Sequence, residues 1–72
     1  MELNQIQQAF AKRLRQAMEA QGYTQTGLSK AAKITNSHLK QILDGEVNIT
    51  LDLIRRLALA CQVEPKFFFD WP

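Results

Sequence analysis

The chain is poor in the residues that build special scaffolds: one cysteine, two prolines and three glycines in 72 residues. A single cysteine, Cys61, excludes an intramolecular disulfide framework and any cysteine-based zinc site, and it fits a reducing compartment. The seven acidic residues are scattered without metal-ligand spacing, so neither a metal nor another cofactor is expected. Long apolar runs are also missing. The first twenty residues interleave Leu3, Ile6 and Phe10 with Glu2, Gln5, Gln7, Gln8, Lys12 and Arg13, unlike a signal peptide or a membrane span. A cytoplasmic location with no membrane partner is the expectation. Acids are scarce where bases gather: up to residue 43 only Glu2 and Glu19 oppose Lys12, Arg13, Arg15, Lys30, Lys33 and Lys40. The net charge of +2 permits a polyanionic partner without demanding one. The length suits a single domain, residues 1–72, whose small core would gain from dimerisation.

What remains is helical in pattern. β-branched runs, repeats, low-complexity tracts and linkers are absent, and apolar spacing repeats near 3.6 residues. A first helix is expected over about residues 3–21, with Leu3, Ile6, Phe10, Leu14, Ala17 and Met18 on one face and Gly22 ending it. Thr24 should cap a short helix over 25–32, and Thr35 another over 36–43 that stops at Asp44-Gly45. Thr50 should cap a fourth over 51–61, with Leu51, Ile54, Leu57, Ala58 and Cys61 facing inward and Leu53 at the edge. Pro65 suits the first turn of a brief fifth helix carrying Phe67, Phe68 and Phe69. The predicted class is all-α, a compact orthogonal bundle of five helices.

Two short helices joined by a few residues are a helix-turn-helix candidate. On the 36–43 helix, Leu39, Ile42 and Leu43 mark the inner side. Opposite them lie Asn36, Ser37, Lys40 and Gln41, with His38 nearer the boundary and no carboxylate before Asp44. Amides pair with adenine, an ammonium with guanine, and a hydroxyl with either base, whereas carboxylates would repel phosphates. By periodicity alone the same face reads equally well as solvated helix surface.

The stretch "YTQTGLSKAAKITNSHLKQILDG", followed by "NITLDLIRRLALACQVEPKFF", resembles the lambda-repressor-like, Cro/C1-type (XRE) helix-turn-helix family. Thr24, Gln25, Leu28, Ser29, Ala32, Ile34, Leu39, Ile42, Gly45, Asn48, Leu51, Ala58, Ala60, Val63 and Phe69 carry the match, from about Phe10 to Phe69. The resemblance implies a lambda-repressor-like bundle in which Asn36, Ser37, Lys40 and Gln41 read base edges of double-stranded DNA. It further implies phosphate contacts from Gln25, Thr35, His38 and Asn48, with Thr35 also a plain helix cap. It departs from the pattern at Lys33 and Gln62, where the family often has Gly, and at Gly27, where a charged helix former is usual. Met18 and Leu43 stand where many relatives pair Arg with Glu, so an apolar contact is expected to replace an ion pair.

Several residues have plainer readings. Cys61 falls on an inward face and reads as a packed thiol rather than a redox switch. His38 has no serine, cysteine or carboxylate placed to form a triad with it, so the chain is not expected to be an enzyme. Phe68 and Phe69 should pack inward. Leu59, Phe67 and Trp71 exceed what the core needs: they either cover the end of the bundle or form a homodimer patch. The expected function is that of a sequence-specific transcriptional regulator of bacterial or phage type, a dimeric repressor by default, bound to a pseudo-palindromic operator. An antitoxin with a toxin partner, a restriction–modification controller, and a protein-interaction module that has lost operator binding are the alternatives.

Overall fold

The computed structural model describes residues 2–70, so Trp71 lies outside the described residues. It contains α1 (Leu3–Ala20), α2 (Gln25–Ala32), α3 (Asn36–Leu43), α4 (Leu51–Cys61) and a 3-10 turn at Pro65–Phe69. The class is all-α, as expected, but the fifth element is not an α-helix. With Pro65 opening it and only five residues long, it closes with tighter i→i+3 geometry.

Local chemistry explains the boundaries. Thr24, Thr35 and Thr50 each accept a backbone N–H three residues on, from Gly27, His38 and Leu53, at 3.0, 3.0 and 3.1 Å. Each such bond satisfies one of the donors a helix start leaves open. At α1 the Gln5 amide oxygen accepts the Glu2 N–H at 2.7 Å. All four helices end alike, on a left-handed residue: Gly22 (φ 72°), Lys33 (59°), Gly45 (71°) and Gln62 (58°). In each case the next residue's N–H reaches back to the helix, as with Tyr23 to the Met18 carbonyl and Ile34 to the Ser29 carbonyl, both at 3.0 Å. Lys33 therefore keeps the turn that relatives make with Gly, at the strain of a side chain in left-handed backbone. Gly27 also has a reason. A Cβ there would stand 3.2 Å from the Thr24 hydroxyl, pressing on the α2 cap.

The core is built from Phe10, Leu14, Ala17, Leu28, Ala32, Leu39, Ile42, Leu43, Leu53, Leu57, Ala58, Cys61 and Phe68. Met18 packs against this cluster, which contains Leu43, consistent with apolar packing where relatives have an ion pair. α1 lies against α3 and the 3-10 turn, while α2 lies against α3 and α4. Tilted rings of Phe10 and Phe68, 5.0 Å between centroids, join the two ends of the chain.

Four inward assignments need correction. Leu51 is 85% exposed and Leu53 is buried in its place. Leu51 is the first residue of α4, where no neighbouring helix reaches its side chain. Leu3, Ile6 and Phe69 are likewise exposed, at 59%, 36% and 45%. Periodicity names a face but not how far the opposing helices extend along it.

Candidate nucleic-acid interface

The N-termini of α2 and α3 meet through side chains. The Gln25 amide donates to the Asn36 side-chain oxygen at 3.0 Å, and the Asn36 amide donates to the Thr26 hydroxyl at 3.2 Å. This chain orients a proposed base reader through a proposed phosphate binder before any ligand arrives. Packing fixes the angle between the helices, because Leu28 and Leu39 are fully buried at their contact. Ser29 is buried too, and its hydroxyl is satisfied by the Thr26 carbonyl at 2.8 Å.

Along α3, Asn36, Ser37, Lys40 and Gln41 are all exposed and His38 is half-buried. The four exposed residues share one short helix. Lys40 is not free, however. Its ammonium lies 2.9 Å from the Asp44 carboxylate, and that hydrogen bond holds its proton above the ordinary lysine range. Arg15 approaches the same carboxylate at 3.8 Å and donates to the Leu43 carbonyl at 3.3 Å, closing the C-terminus of α3. Asp44 thus neutralises the one lysine of α3.

Thr35 acts as the α3 cap, and its side chain is exposed. Asn48, in the loop after α3, accepts from the Gln7 amide at 3.0 Å, so its own N–H groups stay available for an acceptor. Leu59 and Phe67 are not gathered into one patch. Leu59 lines a groove with Lys33, Arg55 and Arg56, whereas Phe67 lines another near the chain's end. Phe67 is half-covered: the Arg13 guanidinium stacks on its ring at 3.9 Å, and Arg13 Nε donates to its carbonyl at 2.9 Å.

Sequence reasoning missed the polar ties that span long stretches of chain. The Tyr23 hydroxyl donates to the Ala60 carbonyl at 3.0 Å, and Arg56 donates to the Lys33 carbonyl at 3.2 Å. The second bond braces the strained residue between α2 and α3. Cys61 is fully buried, and burial pushes its thiol up to about 11. Among the described residues, no helix is long and apolar enough to cross a membrane.

Comparison with known proteins agrees with the all-helical fold. No curated protein matches the chain. Among solved structures, it is similar to the restriction-modification controller protein C.AhdI from Aeromonas hydrophila. The two share 30% identity with a TM-score of 0.84, over 88% of this chain and 96% of that one. A family described as Helix-turn-helix matches residues 14–68, which include α2, α3 and the turn between them. The chain belongs to the helix-turn-helix family of XRE type.

Proposed function

We propose that the chain, as one helix-turn-helix domain over residues 1–72, is a sequence-specific transcription regulator that binds double-stranded DNA as a homodimer. Membership of the helix-turn-helix family supports a DNA-binding regulator over an enzyme. α3 enters the major groove, where Asn36, Ser37 and Gln41 meet base edges. Lys40 joins them once it exchanges Asp44 for the DNA. Gln25, with the open N–H groups at the start of α2, holds a phosphate, and Thr35, His38 and Asn48 add flanking contacts. The single observation that carries this reading is the Gln25–Asn36–Thr26 chain of hydrogen bonds between α2 and α3, two helices that contain no acidic residue of their own.

The likeness to a restriction-modification controller protein favours one role among the regulators: control of a restriction–modification operon, where occupancy of an operator excludes or recruits polymerase. Repression by occlusion is the default. Selection from a pool of random duplexes tests the proposal. A pseudo-palindromic sequence should emerge and should weaken in affinity as salt rises. Failure to enrich any sequence, even at low salt, would contradict it.

A further inference from the structure

DNA reading by itself gives Asp44 no role. An acid at the exit of α3 repels phosphates, and Lys40 has to leave it to reach the duplex. The carboxylate has two cations, one on each oxygen. Lys40 Nζ lies 2.9 Å from Oδ2, and a guanidinium nitrogen of Arg15 lies 3.8 Å from Oδ1. Among the described residues these are the only ion pairs that Asp44 makes.

We propose that Arg15, on α1, is a positioning residue for DNA binding: it takes over the Asp44 carboxylate when Lys40 turns to the duplex. The inference rests on the DNA-regulator reading above. The three groups differ in how far they can move. Lys40 carries an exposed ammonium on a flexible stem, so it is the mobile cation. Arg15 is tied, because the nitrogen that faces Asp44 also donates to the Leu43 carbonyl at 3.3 Å. Asp44 is fixed through its backbone. Its N–H donates to the Lys40 carbonyl at 2.9 Å, and its carbonyl accepts from the Gln8 amide at 3.2 Å. The carboxylate can still rotate, since the terminal torsion of Asp is soft. Closing 3.8 Å to a charge-assisted hydrogen bond of about 2.9 Å asks for a shift of only about 1 Å.

Charge explains why the second cation matters. The Asp44 side chain is only 32% exposed, so water cannot fully replace a departing ammonium. Without Arg15 the carboxylate would hold Lys40 more firmly, and once stripped of it would stand unpaired beside phosphates. With Arg15 in place a neutral Arg15–Asp44 pair stays behind, and the ammonium is free for the DNA. Lys40 and Arg15 are thus alternate partners of one acid, and Asp44 carries the effect of Arg15 to the DNA contact.

A double-mutant cycle tests the proposal, with gel shifts on the duplex that wild type selects from a random pool. Arg15→Gln should raise the dissociation constant about three- to five-fold, the scale of one partly exposed ion pair, with an unchanged circular dichroism spectrum. In an Asp44→Asn background, where there is no carboxylate to take over, the same substitution should change it by less than about two-fold. An equal loss in both backgrounds would mean that Arg15 meets a phosphate itself or only braces the fold. No loss in either would mean that Asp44 needs no second cation. Each of these two results would overturn the proposal while leaving the DNA reading in place. A wild type that selects no duplex at all would remove the DNA reading and this role of Arg15 with it.

Discussion

Replacing Lys33 by glycine should make the protein more stable, although it removes a side chain and loosens the unfolded chain. Lys33 holds φ at 59°, a conformation that costs an L-residue with a Cβ about 1–2 kcal/mol. Glycine adopts it without that cost but brings about 0.5–1 kcal/mol of extra unfolded-state entropy. The net gain should be about 0.5–1 kcal/mol. The Arg56 bond to this residue survives, since it is made to the backbone carbonyl. For a domain of this size each kcal/mol moves the melting temperature by about 4–8 °C. Thermal and urea unfolding followed by circular dichroism should therefore show a rise of several degrees for Lys33→Gly. Gln62→Gly, with φ 58° at the end of α4, should give a rise of the same order. Lys33→Ala removes the ammonium but keeps the Cβ, and it should not stabilise. An equal rise for the alanine variant, or none for either glycine variant, would refute the reasoning from backbone strain.

Other substitutions probe the remaining parts. Gly45→Ala should cost at least about 1–2 kcal/mol by urea unfolding, because it adds strain at φ 71° and sets a Cβ against the Gln8 amide. Leu43→Glu should destabilise by about 3 kcal/mol through an unpaired buried charge, and Met18→Arg by less; the double variant should regain part of the loss if the two residues face each other. Asp44→Asn releases Lys40 and should tighten DNA binding while steepening the log–log salt dependence by about one. The Cys61 thiol should resist alkylating reagents until the protein unfolds. Its contribution to pH dependence has a definite sign: a thiol raised to about 11 when folded leaves stability unaffected below pH 9 and erodes it as pH climbs toward 11.

The elements were largely legible in the sequence because their signals are local. Each threonine cap sits next to the helix it starts, and the bounds of α2, α3 and α4 agree with the expected ones. α1 ends one residue early, at Ala20. Lys33 stands where the family often has Gly, and it adopts the left-handed backbone that glycine favours. The reach of the core was not legible. Leu51 and Leu53 lie two residues apart, and which one is buried depends on where neighbouring helices stop. Nor could spacing reveal that Gln25 holds Asn36, that Asp44 occupies Lys40, or that Arg13 covers Phe67. These contacts depend on rotamers and on helices meeting in three dimensions.

The Gln25–Asn36 bond also alters what Gln25 is expected to do. A residue that only held a phosphate would, on removal, weaken every sequence alike. Here Gln25→Ala should weaken all sequences and also relax preference at the position Asn36 reads, because Asn36 loses its orienting donor. Competition gel shifts with single-base operator variants distinguish the two outcomes.

The central claim, that α3 reads base edges, is tested most directly by repeating duplex selection with Gln41→Ala beside the wild type. Gln41 is exposed and its side chain makes no hydrogen bond among the described residues, while its backbone carbonyl keeps the Glu46 N–H, so truncation to alanine should leave the fold intact. The predicted result is an operator unchanged except at one position in each half-site, where preference is lost at about 1–3 kcal/mol. An identical selected sequence for both proteins would contradict the account.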